Sequence, residues 1–142
     1  MIGSVRVLVV DDFEALRRLL CSILEKMPEL QVICQASDGL EAVQRAEELQ
    51  PDLILLDIGL PTFNGIEAAR QIRRLSPESK IIFLTQESST DVVQEGLNLG
   101  ARGYVLKTRV ALDLVAAVEA VLDGRRFVSA GLSGYNFSEP GS

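Results

Sequence analysis

An α/β fold, a five-stranded parallel sheet in the order 2-1-3-4-5 wound on both faces by five helices, is what this chain of 142 residues predicts. Three observations lead there. Five short runs rich in aliphatic residues end near Val10, Ala36, Asp57, Thr85 and Lys107, spaced 21 to 28 residues apart, the length of one strand plus one crossover helix. Between the runs, apolar residues change to helical spacing. The runs ending at Val10, Asp57 and Thr85 are almost wholly apolar, as strands buried on both faces must be, whereas the one ending at Ala36 is more polar and belongs at a sheet edge.

Val5 to Val10 is the first strand, broken once by Arg6 and ending on Asp11 and Asp12. Leu16, Leu19, Leu20, Ile23, Leu24 and Met27 make an amphipathic first helix that Pro28 stops. Gln31 to Ala36 is the second strand. Asp38 caps a second helix to about Leu49, with Leu40, Val43 and Leu49 inward. Leu53 to Asp57 is the central strand, four aliphatic residues followed by a carboxylate and then by the stiff Pro61 to Gly65 loop. Asn64 caps a third helix with Ala68, Ala69, Ile72 and Leu75 inward, ending near Ser76-Pro77. Lys80 to Thr85 is the fourth strand. The fourth helix, about Thr90 to Leu99, carries Gly96 and Asn98 on a narrow apolar face and is expected to be the least rigid. Gly103 to Lys107 is the fifth strand. Ala111, Leu114, Val115, Val118, Val121 and Leu122 form the fifth helix, which Gly124 ends. Residues 4–128 are thus one domain, and 129–142, rich in Ser and Gly, read as a disordered tail or the start of a linker.

Composition narrows the chemistry. A net charge of -6 repels phosphate backbones and anionic surfaces, so this piece alone should bind neither nucleic acid nor membrane. Cys21 and Cys34 lack metal-site spacing and read as free thiols of a cytoplasmic protein. The chain has no histidine, which removes Ser-His-Asp and Cys-His catalysis and a phosphohistidine donor role within it.

In the order 2-1-3-4-5, strands 1 and 3 are neighbours, so Asp11, Asp12 and Asp57 converge at the carboxyl edge, where ligands bind in open parallel sheets, with Thr85 and Lys107 beside them. Three carboxylates repel one another unless a cation intervenes, and a hard all-oxygen set suits Mg²⁺. Lys107 adds a second positive charge and Thr85 a hydroxyl, and together they suit a tetrahedral anion on a carboxylate oxygen. Each residue also has a plainer reading: Asp12 as the cap of the first helix, Asp11 as a solvated acid, Thr85 as a strand former, Lys107 as a solvated strand end. Their joint placement favours the site.

Leu8-Val9-Val10-Asp11-Asp12, Leu55-Leu56-Asp57-Ile58-Gly59-Leu60-Pro61 with Gly65, Leu84-Thr85 and Tyr104-Val105-Leu106-Lys107 resemble the CheY-like receiver domain of two-component response regulators, a flavodoxin-like fold, over residues 4 to 124. The resemblance implies that Asp57 accepts a phosphoryl group from a sensor histidine kinase. It implies that Asp12, Asp57 and the Gly59 carbonyl bind Mg²⁺ with Asp11 acting through water, that Lys107 pairs with the phosphoryl group, and that Thr85 moves to bond it while Tyr104 turns inward. The fourth helix, fifth strand and fifth helix would then form the output face, with phosphorylation-dependent homodimerisation as one outcome. Gly100 to Lys107, the absence of proline after Lys107, and Val121-Leu122-Asp123-Gly124 are similar to NarL/FixJ-type transcription regulators, in which a DNA-binding domain follows a linker. A stand-alone receiver acting by protein contact is the alternative. Gln86 departs from the pattern, since the family usually places a small residue there, and it is expected to control access to Asp57. A Mg²⁺-dependent aspartyl phosphatase of the haloacid-dehalogenase type fits less well, because its general acid would stand where Gly59 does. A flavodoxin-like flavin site fits less well too, because Asp11-Asp12-Phe13-Glu14 would repel the flavin phosphate.

Overall fold

The computed structural model describes residues 4–60, 64–86 and 98–129. Its strands are β1 (Val5–Val10), β2 (Leu30–Ala36), β3 (Leu53–Asp57), β4 (Lys80–Thr85), β5 (Gly103–Leu106) and β6 (Phe127–Val128). All pair in parallel, in the order β2-β1-β3-β4-β5-β6. The predicted order holds and a sixth strand extends it. Phe127 and Val128 pair with Gly103 and Tyr104, covering the outer edge of β5.

Alternation along the strands sends side chains to two cores. Leu8, Val10, Ile54, Leu56, Ile81 and Phe83 pack under α2 (Gly39–Leu49) and α3 (Gly65–Leu75). Val7, Val9, Leu53, Leu55, Ile82 and Leu84 pack under α1 (Glu14–Glu25) and the C-terminal helix Val110–Leu122. Every residue of β3 is buried, so the central strand is covered on both faces and its terminal carboxylate is held by the fold.

Asp38 and Asn64 cap α2 and α3 as expected, accepting hydrogen bonds from Glu41 N (2.8 Å) and Glu67 N (3.0 Å). Glu41 reaches back to accept from Ser37 N, the residue before the cap, at 3.0 Å, and so also fastens the helix start. Several expectations fail locally. Leu40 is 56% exposed, because the first turn of α2 directs it away from the sheet that Ala42, Val43 and Ala46 meet; Leu19 and Val115 likewise face outward. Lys107 does not end β5 but begins a 3₁₀ turn, Lys107–Arg109. The predicted fourth helix lies outside the described residues except at its end, as do Pro61 and the tail from Ala130. Both cysteines are free.

Candidate functional site

Three strand ends and one turn meet at the carboxyl edge of the sheet. β1 runs into Asp11, which is fully buried, and into Asp12, which is exposed. β3 ends in Asp57, 2% exposed. β4 ends in Thr85, also buried, with Gln86 exposed just beyond it. The turn after β5 brings Lys107 across the edge, where its Nζ lies 2.9 Å from Asp11 Oδ2 and 3.0 Å from Asp57 Oδ2. The amide of Gly59 donates to Asp57 Oδ1 at 2.8 Å, so both oxygens of Asp57 face a positive or donor group.

Gly65 lets α3 start directly against the end of β3. A Cβ on Gly65 would stand 2.7 Å from Ile58 Cα and 2.9 Å from Asp57 C, and closer still to Asp57 O, so only glycine lets α3 begin this close to the strand backbone. Gly65 N also donates to Ile58 O at 3.0 Å, fastening the helix start to the strand end.

Electrostatics follow from burial. Desolvation pushes the Asp57 carboxyl above its ordinary range and Asp11 adds to this, while Lys107 and the Gly59 amide oppose it. Burial alone would lower the Lys107 pKa, but its bonds to the two carboxylates outweigh burial and hold the ammonium charged, above its usual range. One buried lysine therefore stands against two buried carboxylates, with a third at the rim. Carboxylate oxygens of Asp11, Asp12 and Asp57 all lie within 4.8 Å of one another. Asp11 Oδ2 is buried and ion-paired to Lys107 at 2.9 Å. An all-oxygen set of three carboxylates, two of them buried and balanced by one lysine, fits a small divalent cation.

Asp12, Phe13, Leu16, Asp57, Ile58, Gly59, Thr85, Gln86 and Lys107 line a cavity of about 530 Å³ over this edge. Seven of the eight residues predicted for the site are therefore brought together, counting the buried Asp11, which does not line the cavity but is ion-paired to Lys107. Tyr104 lies deeper. It is fully buried, with its ring centroid 5.3 Å from that of Phe83. Asp12 does not cap α1, whose N-cap is Phe13 with no side-chain cap at all. Sequence reading missed Phe13 and Leu16 as cavity residues, and it assigned Leu16 to the apolar face of the first helix.

A family model described as response regulator receiver domain matches residues 7–119. Among curated relatives, the transcriptional regulatory protein LiaR of Bacillus subtilis (strain 168) is 40% identical over 92% of this chain and 62% of its own length. DegU of Brevibacillus brevis, also a transcriptional regulatory protein, is 34% identical over 89% of this chain and 53% of its own. The chain thus spans between half and two thirds of the relatives it matches. Among solved structures, a two-component response regulator of the LuxR family from Aurantimonas sp. SI85-9A1 superposes with a TM-score of 0.86 at 33% identity, covering 91% of this chain and 92% of that one.

Proposed function

This chain belongs to the response regulator receiver domain family, and from that membership we propose that it is a phosphorylation-activated switch in which Asp57 takes a phosphoryl group from a sensor histidine kinase. The observation that carries the reading is the grip on Asp57: Lys107 Nζ at 3.0 Å on one oxygen, the Gly59 amide at 2.8 Å on the other, and a cavity opening over both. Burial makes this carboxylate more basic than a surface one, and so a better nucleophile, while Lys107 keeps it ionised and oriented. As phosphorus moves onto an Asp57 oxygen, charge spreads over the phosphoryl oxygens. Lys107 is positioned to meet it, and Thr85, at the cavity, would move to donate a hydroxyl.

Asp11, Asp12, Asp57 and the Gly59 carbonyl would hold Mg²⁺, which supplies the charge neutralisation that phosphoryl transfer between anions requires. Phosphorylation shifts a two-state population, with Thr85 and the buried Tyr104 as the coupled residues, and the output is transcription control through a DNA-binding part of the protein, with homodimerisation as one route. The switch is residues 4–128 together with Ser129, which is buried against it and bonds Asp113 and Leu106, and the residues after it are the start of the connection onward. The chain acts on itself by phosphotransfer and dephosphorylation, not on a turned-over substrate.

Beryllofluoride, a phosphoryl mimic, tests this. With Mg²⁺ it should raise the melting temperature well beyond Mg²⁺ alone, and Asp57→Asn or Asp12→Asn should remove the increment. An equal increment in Asp57→Asn would place the acceptor elsewhere.

A further inference from the structure

Phe13 occupies a position where stability alone would not put it. It is the N-cap of α1, where Ser, Thr, Asp or Asn would satisfy an orphan amide, and it makes no side-chain cap. Nor does it serve the core, being 63% exposed. Its place is nevertheless firmly set. Phe13 N donates to Asp11 Oδ1 at 2.8 Å, Phe13 O accepts from Arg17 N at 3.0 Å, and Arg17 Nη1 donates to Asp11 O at 2.8 Å. The aromatic residue is thus rooted on a site carboxylate, and with Leu16 and Ile58 it adds apolar lining to a cavity that Asp12, Asp57, Gly59, Thr85, Gln86 and Lys107 also line. A lining that is part ionic and part apolar matches a phosphoryl group attached to a flat ring.

We propose that Phe13, with Leu16 and Ile58, is the specificity-determining platform for the imidazole leaving group of the phosphodonor. This rests on Asp57 as acceptor and adds how the donor is recognised. In the transfer, a P–O bond forms to an Asp57 oxygen as the P–N bond breaks. The P–N electron pair returns to the ring nitrogen that carried phosphorus, and the ring, protonated on its other nitrogen, leaves as neutral imidazole. The departing ring grows no charge that needs a polar partner, so an aromatic and aliphatic wall suits it. Stacking on Phe13 would also fix the P–N bond's approach to Asp57.

The test compares two small donors, N-phosphoimidazole and acetyl phosphate, each with Mg²⁺, following intact mass over time. The ratio of their labelling rates should fall about three- to tenfold in Phe13→Ala, as expected for loss of one aromatic contact, and return in Phe13→Tyr. Phe13→Ser supplies the missing cap hydroxyl, removing the ring without weakening the helix start, and should show the same fall. An unchanged ratio in Phe13→Ala and Phe13→Ser, or a ratio that Phe13→Tyr does not restore, would overturn the inference. If the unaltered chain were labelled by neither donor, the acceptor reading itself would fail.

Discussion

Replacing Lys107 by Met removes the cation that bridges Asp11 and Asp57 while keeping most of the side chain's volume. The lysine side chain is 10% exposed and its partners are 0% and 3% exposed, so the variant leaves two buried carboxylates facing each other. Removing one partner of a buried ion pair costs about 3–5 kcal/mol, and the cavity above Asp57 lets water recover part of that, so about 3 kcal/mol is expected near neutral pH. For a chain of this size that is a fall of roughly 10 °C in melting temperature. The pH dependence has a definite sign. Asp57 is already shifted upward by burial, so its contribution to stability is present below the unfolded carboxyl value and lost as pH rises through the folded one. Without Lys107 the shift grows, and the deficit should shrink as pH falls from neutral toward the ordinary carboxyl range. Lys107's own contribution, raised in the fold, is complete at neutral pH and would be lost only in alkali. Urea unfolding in chelator at neutral pH and at about pH 5 measures both arms. Asp57→Asn added to Lys107→Met should restore most of the loss, as should millimolar Mg²⁺. A deficit below about 1 kcal/mol, or one that does not shrink in acid, would refute the charge balance drawn for this site.

Gly65→Ala drives a methyl into the backbone of Asp57 and Ile58, so the start of α3 must move, at about 2–3 kcal/mol and with slowed labelling of Asp57; normal stability and labelling would show the contact to be slack. Ser129→Ala removes a buried hydroxyl that donates to Asp113 Oδ2 at 2.8 Å and accepts from Leu106 N at 3.1 Å, and should cost about 1–2 kcal/mol at neutral pH. The Asp113 carboxyl is held low chiefly by Arg109, against burial, with help from Ser129, so its stabilisation is present above the ordinary carboxyl value and lost as pH falls through the folded one. The Ser129→Ala deficit should therefore fade in acid, and a constant deficit would argue against the Asp113 bond. Gln86→Ala, opening the cavity mouth, should speed labelling by acetyl phosphate and shorten the phosphorylated lifetime together. A longer lifetime would mean that Gln86 orients the hydrolytic water by hydrogen bonding, and no change in either rate would remove it from the mechanism.

What the sequence made legible is what burial on two faces enforces. Four aliphatic residues before Asp57 leave no face for solvent, so that carboxylate had to stand at a strand end, and the same logic placed Asp11 and Thr85. Short or distant features were not legible. Phe127 and Val128 make a strand only because β5 offers an open edge, and two residues carry no periodicity. The Ser129–Asp113 bond joins residues 16 positions apart with no shared pattern. Leu40 and Val115 were misassigned because residue type was read as direction, whereas the helix phase set by Ala42, Val43 and Ala46, and by Leu114, Ala117 and Val118, turns them outward. That Lys107 bridges Asp11 and Asp57, instead of only standing beside them, needed the turn after β5, which begins one residue earlier than strand spacing suggests.

The central claim is that Asp57 is a phosphoacceptor, and intact mass spectrometry after incubation with acetyl phosphate and Mg²⁺ tests it most directly. The chain should gain the mass of a single phosphoryl group, lost on alkaline treatment as an acyl phosphate is, and gain nothing when Mg²⁺ is chelated or when Asp57 is replaced by Asn. A label that forms equally well in Asp57→Asn, or no label under any of these conditions, would contradict it.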